Sequence, residues 1–219
     1  FSEHSDVLYF TLHGVEVSIA NAIRRTILSD IPTVVIETDT HEKNQCTVLV
    51  NTSRLHNEII KQRLSCIPIH STLLRDNEDG KSLPGNYELV VDVTNDSDNT
   101  IYVTTEDFRL RDKETNTMLS KEEQEKLFPG LFPKNMITQS YIDFARLRAK
   151  IGETIEGEQL SLTADFSINT AHSNSMYNVV SKCSYGNTPD VDKARSVWDD
   201  LEGKLRTEGE STEDIKFKK

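Results

Sequence analysis

One stretch near the start of the sequence, residues 13–37, restricts the folds that this chain can adopt. Apolar side chains recur there at the spacing that lines one side of a helix: Ile19, Ala22, Ile23, Thr26 and Ile27. Pro32 disfavours helical backbone at Ile31, so we expect the helix to finish near Asp30. The β-branched run 33–36 then predicts a strand. Because propensity alone leaves so short a helix marginal, other residues must cover its apolar side.

The opposite side of the predicted helix is polar. Ser18 is its expected N-cap. Asn21 and Arg25 lie four residues apart on this side, and Arg24 lies beside them. Two neighbouring arginines most often form a solvated surface pair. The alternative is a protein interface, because a guanidinium group makes paired hydrogen bonds to carboxylate or carbonyl oxygens.

Composition narrows the classes of function. The 219 residues suffice for one large domain or two small ones. A formal net charge of −11 disfavours binding of nucleic acid by this chain alone, because duplex affinity rests largely on lysine and arginine. The sequence has no apolar run of membrane-spanning length and no start typical of a signal peptide, so we expect a soluble chain. Three widely separated cysteines, Cys46, Cys66 and Cys183, indicate reduced thiols in an intracellular compartment.

Patterns typical of catalysis or metal binding are missing from the sequence. It contains no C-x-x-C, no G-x-S-x-G, no glycine-rich phosphate loop and no H-E-x-x-H. His41 and Glu42, near Asp39, are better explained as a polar link than as metal ligands, because a metal site needs several convergent ligands. We therefore expect no intrinsic active site, no catalytic residue and no bound metal.

Periodicity predicts further strands and short helices along the chain. Residues 6–12 are apolar on both alternating faces, which predicts a buried strand. Ser53 is the expected cap of a second helix that Pro68 limits. Residues 76–85 are expected to form a charged loop. The other predicted strands are 47–50, 87–93, 101–105, 160–166, a strand with Tyr177, Val179, Cys183 and Tyr185 on one face, and a strand beginning at 215–217. The other predicted helices are 120–127, with Ser120 and Glu123 as a capping box, and 191–205.

Two segments resemble one protein family. The string SIANAIRRTILSDIPTVVIE at 18–37 closely resembles the signature of the alpha-like assembly subunits of multisubunit RNA polymerases. That family contains the bacterial alpha N-terminal domain, its archaeal counterpart and the third-largest subunit of eukaryotic RNA polymerase II. The string LHNEIIKQRLSCIPI at 55–69 is similar to the archaeal and eukaryotic members, and 147–166 is similar more weakly. The chain is therefore identified as a member of this family, with a eukaryotic, archaeal or viral source left open.

The resemblance implies an α+β fold with a discontinuous organisation. Residues 1–38 and 177–219 would form an alpha-like dimerisation domain whose C-terminal helix would either lie beyond the given chain or be supplied differently. Residues 39–176 would form an inserted, mainly β second domain. The implied function is that of a non-catalytic scaffold subunit of a DNA-directed RNA polymerase, with the catalytic magnesium in the largest subunit and no cofactor in this chain. A stand-alone nucleic-acid-binding or ligand-binding module on a borrowed alpha-like fold is the alternative.

Partners and site residues follow from the same resemblance. The small partner would be an eleventh-subunit-like alpha-type subunit or a fused equivalent, and the chain would nucleate assembly of the second-largest and largest subunits. No tight DNA binding and no membrane are expected. The compartment would be the nucleus for a eukaryotic cellular member, and the cytoplasm or virion for an archaeal or viral one. The implied dimerisation residues are Ile19, Ala22, Ile23 and Ile27, and the implied large-subunit interface is Asn21, Arg24, Arg25 and Arg63.

Overall fold

The computed structural model describes residues 2–4, 7–70, 82–152 and 154–209. The chain divides into two compact units, residues 1–183 and 184–219. Most of the loop predicted at 76–85, and the strand predicted to begin at 215–217, lie outside the described residues.

Helices are interspersed among strands in the first unit, and one long helix lies in the described part of the second. In chain order the elements are β1 (Ser2–His4), β2 (Val7–Tyr9), α1 (Val17–Ser29), β3 (Thr33–Val35), β4 (Cys46–Asn51), α2 (Asn57–Ser65), the four-residue turn α3 (Leu83–Asn86), β5 (Tyr87–Thr94), β6 (Ile101–Thr104), β7 (Arg109–Asp112), α4 (Lys121–Leu127), β8 (Asp143–Leu147), β9 (Gln159–Asp165), β10 (Ser167–Asn169) and α5 (Val191–Thr207). The α+β class predicted from the sequence is confirmed.

The largest sheet has four antiparallel strands in the order β4–β9–β5–β7. Its alternation is the predicted one: Leu160, Leu162 and Ala164 of β9 are buried, while the residues between them are half-buried. Leu89 and Val91 of β5 pair with Ala164 and Leu162 and are fully buried as well. Three antiparallel strand pairs, β1–β2, β3–β10 and β6–β8, complete the strands of the described residues.

Aromatic side chains form one end of the core. The Phe108 ring lies edge-on to the rings of Phe132 and Phe144, with centroid distances of 5.3 and 5.2 Å. Edge-to-face pairs of this kind add to the free energy gained by burial. Helix α2 contributes Ile60 and Leu64, both fully buried, to the same cluster. Phe108 thus packs the segment before β7 against β8.

A buried asparagine fixes the turn that follows β5. Asn95 is 1 % exposed, and its amide donates hydrogen bonds to the carbonyl oxygens of Asn99 (2.9 Å) and Leu147 (3.0 Å). The backbone N–H of Asn95 donates to the Glu158 carbonyl at 3.0 Å. Gly157 lies so close that a Cβ placed on it would stand 1.7 Å from the Asn95 carbonyl oxygen. The turn and the segment entering β9 therefore pack backbone against backbone.

Two predicted helix caps are wrong. Helix α1 begins at Val17, and Glu16 holds the N-cap position without a side-chain hydrogen bond, so Ser18 already lies inside the helix. Helix α2 begins after His56, and the Ser53 hydroxyl instead donates to the Asn51 side chain at 2.6 Å. Serine can stabilise a local turn as readily as a helix start, which explains the error at Ser53. The predicted capping box of α4 is confirmed.

Two predicted strands also differ from the structure. The run 6–12 was expected to be buried, but β2 covers only Val7–Tyr9 and pairs with the three-residue β1 alone, so its side chains stay about half exposed. The alternation at 177–185 does not form a strand. Tyr177 ends a 3₁₀ turn that the Asn174 side chain caps. No described strand pairs with the residues that follow, and alternation without a neighbouring strand does not make a sheet.

All three cysteines are free thiols, as predicted. Cys46 is fully buried in β4, Cys66 is exposed at the end of α2, and Cys183 is half-buried. Burial raises the pKa of the Cys46 thiol to about 11, and the nearby Lys61 ammonium group only partly opposes that shift. The reactive thiolate form of Cys46 is therefore scarce at neutral pH.

Thiol labelling with Ellman's reagent at pH 8 is expected to separate these cysteines. In native protein Cys66 should react at least about 100-fold faster than Cys46, because Cys46 has both a raised pKa and no solvent access. The variants Cys66→Ser and Cys183→Ser show which cysteine each labelling rate belongs to. Rates for Cys46 and Cys66 within tenfold of each other would contradict the prediction.

The raised pKa of Cys46 also predicts how stability depends on pH. Above pH 9 the Cys46 thiol ionises in the unfolded chain but stays protonated in the native protein, so Cys46 should lower the free energy of unfolding as the pH rises from 9 towards 11.

Candidate protein-interface helix

Helix α1 is anchored at its C-terminal end. The backbone N–H of Asp30 closes the helix on the Thr26 carbonyl at 2.9 Å, and Pro32 follows. The Ser29 carbonyl accepts the backbone N–H of His172 at 3.0 Å. Immediately after the helix, β3 is buried and pairs with β10. The end of the helix and the strand after it are therefore held by residues distant in sequence.

The apolar stripe of α1 is only partly covered by the described residues of the first unit. No residue of the helix is buried. Ile19 is 50 % exposed, Ala22 is exposed, and Ile23 and Ile27 are half-buried. The stripe of α2, in contrast, has both Ile60 and Leu64 at 0 % exposure. An apolar helix face left open in this way is typical of a surface that another protein covers.

Residues before α1 enlarge the exposed apolar surface. Eight large hydrophobic side chains between Val7 and Ile19 are each 40–58 % exposed. We predicted the first of these residues to be buried and so missed them as surface residues. The sequence feature that could have indicated their exposure was the run 6–12, which is apolar on both faces but too short to be covered on both.

The polar side of α1 has one ordered and one free arginine. The Arg24 guanidinium donates from Nε to the Asn21 side-chain oxygen at 3.1 Å, and both residues are half-buried. Arg25 is exposed, and none of the described residues binds its guanidinium group. The structure thus brings Asn21 and Arg24 together and leaves Arg25 able to form new hydrogen bonds.

Arg63 is placed differently from the arginines of α1. It projects from α2, and its guanidinium donates to the backbone carbonyls of Phe144 (2.7 Å) and Asp143 (2.8 Å) in β8. The side chain therefore joins α2 to β8 beside a shallow cavity of about 330 Å³. Its predicted contact with a large subunit stays a prediction. The sequence carried no signal for this internal role, because β8 lies about eighty residues further along the chain.

Two other features, a metal cluster and a membrane-spanning helix, are absent from the part of the chain that the structure describes. Within the described ranges, no group of three or more His, Cys, Asp or Glu side chains is arranged to hold a metal ion. None of the helices in those ranges has both the length and the apolar character required to cross a membrane.

Comparison with known families gives the context of the α1 surface. The profile of the RNA polymerase Rpb3/Rpb11 dimerisation domain matches residues 9–195. The chain belongs to this family. The match includes α1, all of the four-stranded sheet and the start of α5. Membership of the alpha-like assembly subunits of RNA polymerases, predicted from the strings at 18–37 and 55–69, is confirmed.

Individual members of the Rpb3/Rpb11 family are similar over shorter stretches. The chain is 40 % identical over 68 residues to "DNA-directed RNA polymerases I and III subunit rpac1" of Dictyostelium discoideum, which covers 31 % of this chain and 18 % of that protein. It is 42 % identical over 64 residues to "DNA-directed RNA polymerase subunit Rpo3" of Thermococcus kodakarensis, which covers 29 % and 22 %. Human RPAC1 is 39 % identical over 64 residues, which covers 29 % and 16 %. The similar stretches thus span about a fifth of the length of these relatives.

Proposed function

We propose that this chain is a non-catalytic scaffold subunit of a DNA-directed RNA polymerase. The observation that carries the proposal is an amphipathic helix without a buried residue inside a domain of the Rpb3/Rpb11 dimerisation family. The named relatives are RNA polymerase subunits, which supports the same assembly for this chain. The catalytic magnesium of such an enzyme would lie in its largest subunit.

The two sides of α1 would bind different partners. The stripe of Ile19, Ala22, Ile23 and Ile27 would pack on an eleventh-subunit-like alpha-type subunit or a fused equivalent. Fully burying an isoleucine side chain is worth about 1.5–3 kcal/mol, so the three isoleucines, of which Ile23 and Ile27 are already half-buried, can supply part of the stability of an interface, and Ala22 adds less. The exposed Arg25, with Asn21 and Arg24 beside it, would contact the second-largest subunit, where a planar guanidinium suits a hot spot.

The domain organisation proposed here is discontinuous. Residues 39–176 would form the inserted, mainly β domain, and residues 1–38 and 177–219 would belong to the dimerisation domain. The inserted-domain part is supported by the sheet β4–β9–β5–β7 and the pair β6–β8, which lie wholly between residues 46 and 165 and supply most of the core.

Purification of the full-length tagged protein from its native source, followed by mass spectrometry, tests the function. We expect two very large polymerase subunits and a small alpha-like subunit, or a fused equivalent, to accompany it.

Two substitutions in α1 test its two sides separately. Ile19→Asp should weaken pairing with the small partner by roughly 100-fold, because it places a charge in an apolar contact. Arg25→Ala should weaken retention of the second-largest subunit by about 30-fold while sparing the small partner.

Matched variants control for general damage. Ile59→Asp alters an aliphatic residue of α2 that is 41 % exposed, and Arg54→Ala removes an exposed arginine, so both should leave the complex intact. Recovery of the protein alone, under conditions that preserve polymerases, would overturn the proposed function. Unchanged retention of the second-largest subunit by Arg25→Ala would remove Arg25 from the interface.

The alternative function, a nucleic-acid-binding module, would give a different result with the purified protein. A nucleic-acid-binding module would bind duplex or single strands with an affinity that falls steeply with salt. Cell fractionation of the tagged protein addresses the compartment, which would be the nucleus for a eukaryotic member and the cytoplasm or virion for an archaeal or viral one.

A further inference from the structure

The chain closes on itself at the C-terminal end of α1. Residues 30–32 lead from Ser29 into β3, and Thr33, the first residue of β3, pairs with Asn169, the last residue of β10. The chain then turns back, and the backbone N–H of His172 donates to the Ser29 carbonyl oxygen at 3.0 Å. The end of the helix, the start of β3 and the residues that follow β10 therefore form one closed unit.

The turn that closes this unit is stabilised by the Asn169 side chain. Its oxygen accepts the backbone N–H of Thr170 at 3.0 Å and also the hydroxyl of Ser173. The backbone N–H of Ser173 donates to the Thr170 carbonyl at 3.1 Å. Asparagine side chains that bind the backbone just ahead of them stabilise turns of this kind. Asn169 thus shapes the turn that brings His172 to the end of the helix.

Two asparagine side chains also bind the turn to the residues after β3. The Asn169 amide donates to a carboxylate oxygen of Glu37 at 3.2 Å, and the Asn174 amide donates to Asp39 at 3.4 Å. Hydrogen bonds to a charged acceptor are stronger than neutral ones. Glu37 is itself fixed, because its backbone N–H donates to the Gln45 side chain at 3.0 Å and its carbonyl accepts the Gln45 N–H at 2.8 Å. The turn is therefore attached to the chain on both sides of β3.

Packing contributes less to the position of α1 than to that of α2. None of the residues of α1 is buried, whereas Ile60 and Leu64 of α2 are fully buried. At the N-terminal end of α1, Glu16 makes no side-chain capping bond. The direction of α1 is therefore determined mainly at its C-terminal end, where the turn after β10 binds Ser29.

From these contacts we propose that Asn169 is a positioning residue for both partners of α1 and acts through the helix. This inference rests on the proposed function, because it takes the two partners from it. The apolar stripe and Arg25 lie on different sides of one helix, so a change in the direction of the helix displaces both surfaces together. A surface that is already in place before a partner arrives loses less conformational entropy on binding.

Asn169→Asp, in the full-length tagged protein, tests the proposal. The aspartate can still accept the two hydrogen bonds of the turn, but it cannot donate, and it places a second carboxylate against Glu37. We expect retention of the small partner and of the second-largest subunit in a salt-washed complex to weaken together, each by about tenfold. Ile19→Asp and Arg25→Ala, in contrast, should each affect one partner.

A second substitution distinguishes positioning from general damage. Glu37→Gln supplies an amide that can donate to the new aspartate, so the double variant should recover most of the lost retention. Glu37→Gln alone should keep both partners, because the glutamine oxygen still accepts the Asn169 amide and the ion pair with Lys43 is exposed and weak. Asn99→Asp is the matched control, since it makes the same change at an exposed asparagine elsewhere and should leave retention unchanged.

Hydrogen exchange of the full-length protein without partners measures the turn directly. We expect Asn169→Asp to speed exchange of the His172 backbone N–H by at least about tenfold, with the amides of β9 unchanged. Ser173→Ala removes one exposed hydroxyl from the turn, and it should change exchange and retention in the same direction by about threefold. This milder variant keeps the proposal testable if thermal unfolding shows that the aspartate variant does not fold.

The possible failures separate the inference from the function. Loss of one partner alone, no recovery with Glu37→Gln, or unchanged exchange at His172 would overturn the inference. If the unsubstituted protein recovers the polymerase subunits and Asn169→Asp retains them equally well, the inference fails and the scaffold function stands. If the unsubstituted protein recovers no polymerase subunits, the function fails and the inference fails with it.

Discussion

Replacing Phe108 by alanine is expected to lower the free energy of unfolding by about 3–5 kcal/mol. Its ring is fully buried and lies against two other phenylalanine rings, so truncation removes both apolar burial and the edge-to-face contacts. The lost ring also leaves a cavity, because Phe132 and Phe144 are fixed by strands and turns around them. Urea unfolding followed by far-ultraviolet circular dichroism measures the change.

Tyr102→Ala is the matched control for this loss. Tyr102 is an aromatic residue of the neighbouring strand β6, but 57 % of it is exposed, so its removal should cost less than about 1 kcal/mol. A stability loss for Phe108→Ala no larger than that for Tyr102→Ala would show that the aromatic cluster is not packed as described.

Gly157→Ala is expected to destabilise the first unit by about 3 kcal/mol or more, although it adds only one methyl group. The new Cβ would stand 1.7 Å from the carbonyl oxygen of Asn95 and 2.8 Å from its carbonyl carbon. A backbone atom cannot rotate away as a flexible side chain can, so the Asn95 turn must shift and strain its hydrogen bonds to Asn99 and Leu147. The midpoint of denaturant unfolding measures this cost.

Gly186→Ala provides the comparison for Gly157→Ala. A Cβ on Gly186 meets no atom within 4 Å, and its backbone needs no positive φ. Its effect should lie within about 0.5 kcal/mol of zero. If Gly157→Ala is equally neutral, then the close backbone approach at Asn95 is absent in solution.

Local periodicity predicted the elements that their own side chains stabilise. The β9 alternation, the helix around Trp198 and the α4 capping box were all visible in short windows, because burial of one face or a bond three residues away determines them. The wrong predictions concern choices that distant residues make. Whether Ser53 caps a helix, or whether 177–185 becomes a strand, depends on partners that no short window contains.

In the candidate interface helix, too, local sequence predicts some features and distant residues determine the others. The apolar and polar sides of α1 follow from residue spacing, and the structure confirms that one helix carries both Ile19 and Arg25. What spacing could not predict was exposure, because burial of the run 6–12 depends on how much other chain is available to cover it. The role of Arg63 in joining α2 to β8 was equally hidden, since it arises only when the two elements fold together.

The open surface between Val7 and Ile19 also bears on how cells must manage this chain. A copy without partners exposes eight large hydrophobic side chains in thirteen residues, a pattern that promotes aggregation and recognition by chaperones and proteases. Surplus copies should therefore be short-lived. The steady-state amount of the chain would then follow the supply of whatever covers that surface, and synthesis in excess would be lost to degradation.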